Sequence, residues 1–361
     1  LPIYLLERRH HDEHLAHTAS LFTIHNIEYQ GRYSTSVLND VLGLDVSYFN
    51  SGMLEFYGDV NLMKGAIEAA DHVTTVSPTY ANELHIPFYA HGLSDVISTK
   101  GSSVTGILNG IDLDLYNPAT DPNLSDHYTV DTLHEGKANC KTALQGSLGL
   151  TIDKNIPIIA CISRLAEHKG FALVLSGIHQ IMEQHVQFVI LGTGEYRYEE
   201  GFRQAEQMYE GRLSAKLSYS NTLSRLIYAG ADLFLMPSLS EPCGLSQMIA
   251  MRYGTLPIVR ETGGLRDTVF PYNKETGEGR GFSFSNINRD DMLWVIREAL
   301  DLYTENPDAW LTLQKAGMTA NFSWEDSART YESIYQEIAP SLSHKTGKKR
   351  AKAPKKAKRF S

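Results

Sequence analysis

An α/β protein with doubly wound parallel sheets is the fold class this sequence predicts, and three observations predict it. From Asn155 onward, short apolar runs of strand length alternate strictly with amphipathic runs of helical period. The 361 residues suit two domains better than one core. Glycine turns, cations and a carboxylate recur just after the predicted strands, where open α/β sheets bind ligands.

The second half carries the clearer pattern. Asn155 to Ser163 reads as a buried strand, Phe171 to Glu183 as a helix, Val186 to Leu191 as a strand and Tyr198 to Tyr209 as a helix. A short strand follows near Leu213 to Leu217, then a helix from Asn221 to Tyr228 and a strand from Asp232 to Met236. Gly244 to Tyr253 reads as a helix, Leu256 to Val259 as a strand and Asp291 to Tyr303 as a helix. In the first half, Ser20 to Ile24, His72 to Val76 and Val104 to Leu108 read as strands, with helices over Leu62 to Ala70 and from Pro78 to Glu83. That is too few units for a six-stranded Rossmann sheet, so the N-terminal domain is expected to be incomplete. A hinge is expected between Tyr116 and Asn155, where Asn117-Pro, Asp121-Pro and a polar run break the periodicity. The domains are set at 1–140 and 141–322.

Composition narrows the function classes. With 42% hydrophobic and 21% charged residues the chain is globular, and its longest apolar runs are of strand length, which excludes a membrane-spanning role. Cys140, Cys161 and Cys243 are odd in number, far apart and without metal-ligand spacing, pointing to a reducing compartment. No signal peptide is visible, and a start at Leu1 leaves the N-terminus open to being a fragment's. Nine Lys or Arg and no acid lie between Lys345 and Arg359, so the net −9 is that +9 set against −18 on the remainder. An acidic body is unsuited to nucleic acid, and the 341–361 tail reads as a solvated disordered end with weak polyanion binding as its possible role.

The residues that carry chemistry lie after the strands. Pro237-Ser-Leu-Ser-Glu-Pro-Cys-Gly-Leu245 sets one carboxylate, Glu241, before a glycine turn and a helix start, which suits a sugar phosphate. Arg164 and Lys169 form a pair of cations beside Gly170 that suits a departing diphosphate. Gly192-Thr193-Gly194 and Thr262-Gly263-Gly264 close later strands on the same edge. His25 and Asn26 follow the first strand, and Asn109-Gly110 is a turn dipeptide. His10, His14 and His17 share a helical face and Asp112-Leu-Asp114 pairs two carboxylates, but their flanks read as a hydrated face and a turn, so no metal and no cofactor are expected.

These residues resemble the bacterial glycogen synthases and plant starch synthases, retaining glucosyltransferases that use ADP-glucose. The matching runs are Thr23-Ile-His-Asn-Ile-Glu-Tyr-Gln-Gly31, Val76-Ser-Pro-Thr-Tyr80, Leu108-Asn-Gly-Ile-Asp112, Ile162-Ser-Arg-Leu165 with Lys169-Gly170, and Ile227-Tyr-Ala-Gly-Ala-Asp232. They continue through Glu241-Pro-Cys-Gly-Leu245, Arg252-Tyr-Gly-Thr-Leu-Pro257, Thr262-Gly-Gly-Leu265 and Phe322-Ser-Trp324, so that the resemblance spans residues 1–340. It implies a GT-B fold, two Rossmann-like domains with the acceptor-side one first, and a crossover helix at 323–340.

The resemblance further implies transfer of glucose from ADP-glucose to the non-reducing end of an α-1,4-glucan such as glycogen or starch, in a bacterial cytoplasm or alternatively a plastid. Carried over, Arg164 and Lys169 hold the donor diphosphate, and Glu241 contacts the glucose hydroxyls beside Cys243, Gly244, Leu245 and Ser246. Tyr219 stacks on adenine, while His25 and Asn109 serve the sugar. Gly192 and Thr193 line the donor, and Thr262, Gly263 and Gly264 are expected as its phosphate-side turn.

Ile249 stands where many other retaining GT-B families place a second glutamate, which favours the glycogen and starch synthase branch. Leu239-Ser240 stands where the family usually has Arg-Phe. The family's Lys-Thr-Gly-Gly-Leu loop and its Asp-Trp-His-Thr segment have no counterpart here, and Leu1-Pro-Ile-Tyr-Leu-Leu resembles the helix after the second. Two rival expectations follow: a truncated chain that binds ADP-sugar or glucan without turnover, and a metal-dependent glycosyltransferase of another family using Asp112 and Asp114.

Overall fold

The computed structural model describes residues 1–101 and 104–339, so the basic tail lies outside the described residues. In chain order the first elements are α1 (Pro2–Arg8), β1 (Leu21–Ile24), β2 (Arg32–Tyr33), α2 (Ser47–Asn50), β3 (Glu55–Phe56) and β4 (Asp59–Asn61). Next come α3 (Leu62–Ala69), β5 (His72–Thr75), α4 (Pro78–Glu83), α5 (Pro87–Ala90), α6 (Ser94–Lys100), β6 (Val104–Gly106) and α7 (Leu133–Leu148). Then follow β7 (Ile158–Ile162), α8 (Phe171–Glu183), β8 (Gln187–Leu191), α9 (Tyr196–Met208), β9 (Leu213–Lys216), α10 (Asn221–Gly230) and β10 (Leu233–Met236). The chain continues with α11 (Ser246–Arg252), β11 (Leu256–Arg260), α12 (Gly263–Thr268), β12 (Phe282–Phe284), α13 (Arg289–Glu305), α14 (Pro307–Thr319) and α15 (Glu325–Ile338).

Two compact units share these elements: Leu1–Thr74 with Asp95–Val104 and the stretch from Asp326, and Thr75–Ser94 with Thr105–Glu325. In the first unit β2, β4 and β3 pair antiparallel, and Leu54 and Val60 bury fully in a small core with Ile3, Leu38 and Leu44. Strands β1, β5 and β6 form a three-stranded sheet in the order β1-β5-β6. Three strands are fewer than the six of a complete Rossmann sheet, as the sparse strand pattern predicts.

The second unit contains a six-stranded sheet in the order β12-β11-β10-β7-β8-β9, parallel throughout. Counted from β7 this is the 3-2-1-4-5-6 order of a Rossmann sheet, with its reversal between β7 and β10. Runs such as Ile158-Ile-Ala-Cys161 and Gln187-Phe-Val-Ile-Leu191 are buried residue after residue because helices cover both faces. Phe171 from α8, Phe188 from β8 and Phe202 from α9 meet in this core, with ring centroids 5.7 Å apart for Phe171 and Phe202 and 6.4 Å for Phe188 and Phe202. Such aromatic pairs add roughly 0.5–1.5 kcal/mol beyond the area they bury.

The expected hinge is the main departure. Helix α7 occupies its middle and runs through residue 140, the boundary expected between the domains. The preceding segment is fastened to the second unit: the Tyr128 hydroxyl donates to the Tyr253 carbonyl at 2.8 Å and the Tyr253 hydroxyl donates to Asp121. Periodicity fails in α7 because its inward face carries Lys137, Lys141 and Gln145 together with Leu133, Cys140 and Leu144. Those polar groups are all partnered, as burial requires. Lys141 pairs with Asp232 at 2.8 Å, and Gln145 bonds Gln187 at 2.9 Å. Strand β12 and helices α12 and α14 also lie beyond the sequence prediction, the first being only three residues long.

Candidate active site

The loops after β7 and β10 meet at the point where the strand order reverses. A 3-10 turn at Glu167–Lys169 ends the first loop, and the Leu239 amide of the second donates to the His168 carbonyl at 2.7 Å. Gly170, at φ +76°, touches the other loop so closely that a Cβ would lie 2.0 Å from the Pro237 carbonyl oxygen. Only glycine satisfies both constraints there.

This closeness joins the two charges expected from the sequence. The Lys169 ammonium donates to both Glu241 carboxylate oxygens, at 2.9 Å to Oε1 and 2.7 Å to Oε2. Ser238 Oγ donates to Oε2 at 3.0 Å, and Glu241 is buried. Behind the loop the buried Arg260 at the end of β11 donates to the carbonyls of Ser238 at 2.7 Å and Leu239 at 2.6 Å. Leu239, in place of the family's usual arginine, is therefore held by its backbone. Arg164 is exposed at the C-terminal end of β7.

The neighbouring loops extend the same edge. The Leu165 amide donates to the Thr193 carbonyl at 2.8 Å, and a parallel bridge joins Leu165 to Gly194, so the β7–β8 pairing continues into both loops. Gly192 is required by approach, since a Cβ would sit 1.8 Å from the Ser163 carbonyl oxygen. Beyond β9 the ring of Tyr219 is 84% exposed, its hydroxyl donating to Asn221 at 2.7 Å.

The segment Glu241-Pro-Cys-Gly-Leu245 leads into α11, which starts without a side-chain cap. Gln247 secures the turn from within, donating to the Gly244 carbonyl at 2.9 Å. Leu245 is half exposed, and the Ser246 hydroxyl bonds Tyr228. The buried Cys243 thiol is pushed up to about 11 by desolvation, against which the Asn109 backbone amide donates to its sulfur. Asn109 thus stands beside the Glu241 loop.

The Thr262-Gly263-Gly264 turn packs against Glu83. The Thr262 hydroxyl donates to Glu83 Oε1 at 2.9 Å and the Gly263 amide to the same oxygen at 3.0 Å. All three residues of the turn are buried. Glu83 is also buried, and its Oε2 has no hydrogen-bond partner. Desolvation raises its carboxyl, opposed by those two donors and the nearby Arg260 charge.

Sequence reasoning missed Glu83, Ser238 and Arg260. An acid beside Tyr80 and Leu84 and a cation ending the apolar run Leu256-Pro-Ile-Val-Arg260 mark charges next to apolar residues, but nothing in the sequence says which partners meet them.

His25 lies in the first unit, exposed just after β1, with the Asn26 side chain closing a turn onto the Glu28 amide at 2.9 Å. The Asp112 carboxylate accepts from the amides of Asp114 at 3.0 Å and Leu115 at 2.9 Å. Among the described residues no group of three or more His, Cys, Asp or Glu is placed to hold a metal. No helix of the described residues is long and apolar enough to cross a membrane.

Comparison with known proteins gives a consistent result. Residues 1–99 match the family described as starch synthase catalytic domain, and residues 149–310 match glycosyl transferases group 1. A glycogen synthase of Lachnospira eligens is 47% identical over 338 residues, covering 94% of this chain and 71% of its own. That of Geobacillus thermodenitrificans is 45% identical, over 95% of this chain and 70% of its own. The catalytic domain of starch synthase IV from Arabidopsis thaliana, solved with ADP and acarbose, superposes with a TM-score of 0.85 at 38% identity, covering 91% of this chain and 68% of that one. A sucrose-phosphate synthase of Thermosynechococcus elongatus, at 20% identity and a TM-score of 0.56, shares the fold. The expected GT-B architecture is thereby shown.

Proposed function

The chain belongs to the glycogen synthase and starch synthase family and is a glycosyltransferase of that type, and we propose from this premise how its residues divide the reaction. The donor is ADP-glucose, the acceptor is the non-reducing end of an α-1,4-glucan, and the configuration at the transferred carbon is retained. Both ligands have precedents in the starch synthase solved with ADP and acarbose. The observation that carries the reading is the Lys169–Glu241 pair at the sheet's switch point.

In this reading the diphosphate is met by Lys169 and Arg164, and the glucose hydroxyls by Glu241 with the amides of Gly244, Leu245 and Ser246. The Glu241 carboxylate neutralises Lys169. The donor's diphosphate is a second anion for the ammonium, while Glu241 keeps its contacts to Lys169 and Ser238 and accepts from sugar hydroxyls with its remaining lone pairs. Tyr219 takes the adenine on its open face, Gly192 and Thr193 line the donor, and Asn109 and His25 serve the transferring sugar.

The bond from the sugar's C1 to the diphosphate oxygen breaks as the acceptor's 4-hydroxyl attacks from the same face. The hydroxyl proton passes to the leaving diphosphate. Glu241 already has both oxygens engaged, by Lys169 and Ser238, which suits it to orienting sugar better than to attacking it. Stabilising the leaving group's charge is then the main source of rate. We place the reaction in a bacterial cytoplasm, in keeping with three free, buried cysteines.

Transfer of radiolabelled glucose from ADP-glucose to glycogen tests this reading. Lys169→Ala is expected to lower kcat about a hundredfold, corresponding to ~3 kcal/mol of lost transition-state stabilisation. A loss below twofold would remove Lys169 from the mechanism. Faster transfer from UDP-glucose would reassign the donor, and ADP binding without glucan extension would reduce the chain to a binding protein. Activity abolished by EDTA and restored by manganese would favour the metal-dependent alternative.

A further inference from the structure

We propose that Glu83 is a positioning residue for Glu241, acting through the Thr262–Gly264 turn, and that this turn belongs to the clamp instead of contacting the donor phosphate. The inference rests on the donor-site reading for what Glu241 does, but the clamp itself stands on contacts within the second unit.

The clamp is continuous. Glu83 Oε1 accepts from the Thr262 hydroxyl and the Gly263 amide. One residue on, the Gly264 amide donates to the carbonyls of Glu241 and Pro242, each at 3.2 Å. A Cβ on Gly263 would lie 2.1 Å from the Glu241 carbonyl oxygen, and one on Gly264 would lie 2.0 Å from that of Cys243. The turn therefore presses directly on the backbone of the proposed sugar-binding loop.

Helix α4, which carries Glu83, is anchored at its other end to the same region. The Ser77 hydroxyl donates to the Pro242 carbonyl at 2.6 Å, and Thr79 donates to Asp267 through its amide at 2.8 Å and its hydroxyl at 2.6 Å. Attachments at Ser77, Thr79 and Glu83 fix α4 against the 241–267 backbone. A buried carboxylate already holding the turn's two donors also leaves little reason for a phosphate there, since a second anion would be repelled.

Three variants test the clamp by three kinds of measurement. Glu83→Ala is expected to lower kcat about thirtyfold, leave the dissociation constant for ADP within twofold, and speed amide hydrogen exchange in peptides spanning 238–246 and 261–265. Glu83→Gln keeps the side chain's size and an acceptor oxygen and is expected to restore kcat to within threefold of the parent, with exchange restored as well. Thr262→Val removes one donor and keeps the helix intact, so it reads the clamp should Glu83→Ala fail to fold; its kcat is expected to fall about fivefold, again with ADP binding unchanged.

ADP binding weakened tenfold or more in Thr262→Val would return the turn to phosphate recognition and overturn the proposal. So would unchanged exchange at 238–246 in both weakened variants, or a Glu83→Gln protein as impaired as the alanine variant. If the parent chain neither binds ADP nor transfers glucose but the exchange pattern appears, the donor-site reading fails and the clamp stands.

Discussion

At the scale of one residue, Tyr219 is a proposed donor residue that the family resemblance alone supplied. A large ring in a polar loop after a strand has little core to enter, and the fold leaves it 84% exposed. Its removal is therefore expected to cost no stability while removing a stacking surface worth roughly 1–3 kcal/mol per base. Tyr219→Ala should weaken ADP binding about tenfold by calorimetric titration, with the melting temperature unchanged. An unaltered dissociation constant would dismiss the ring as a base platform. Lys169 and Glu241 are legible in the sequence, because charged groups after parallel strands need a partner or a ligand. Glu83 is not legible. An acid inside Pro78-Thr-Tyr-Ala-Asn-Glu83 gives no local sign that a turn about 180 residues away will deliver two donors to it. Arg260 is hidden likewise, since its acceptors are carbonyls of another loop.

At the scale of elements, legibility follows burial chemistry. Helix α8 keeps apolar residues on its inward face, and its predicted bounds coincide with the observed Phe171–Glu183. Helix α7 buries lysines, so the same period search reads a hinge. Lys137 is the sharpest instance, because its ammonium sits among backbone acceptors at the C-terminal ends of α10 and α11. It donates to Ala229 at 2.8 Å, to Tyr253 at 3.2 Å and to the Thr255 hydroxyl at 2.6 Å. Burial pushes this lysine down to about 7, whereas in the unfolded chain it titrates near its ordinary value of about 10.4. Between those values the unfolded state binds the extra proton, so stability rises with pH across that window. The slope is at most ~1.4 kcal/mol per pH unit for one proton. Denaturant titrations from pH 7 to 10 should show this rise in the parent chain and its loss in Lys137→Met. Parallel pH profiles for the two proteins would mean that Lys137 stays protonated in the fold.

For the molecule as a whole, the two units differ in the amount of core they hold. The second has an extensive core on its six-stranded sheet, while the first buries fewer apolar side chains, Ile24, Ile27, Ile67 and Val73 beside the set around Leu54 and Val60. Small cores are marginal because surface outweighs volume. Two thermal transitions are therefore expected, the lower one belonging to the first unit. The proposed donor residues, apart from His25, all lie in the second unit. A ligand that binds only a folded form stabilises it by mass action, about 2.7 kcal/mol at a hundredfold excess over its dissociation constant. For a unit of this size that corresponds to roughly 5–10 °C. Scanning calorimetry with ADP should therefore raise the upper transition and leave the lower one in place, and Lys169→Ala should reduce the shift. Phe202→Ala supplies the assignment, since truncating that fully buried ring costs about 3–5 kcal/mol and should lower the upper transition alone. If ADP moved both transitions equally, the donor's contacts would have to extend into the first unit, and His25 with the turn at Asn26 would be the first residues to examine.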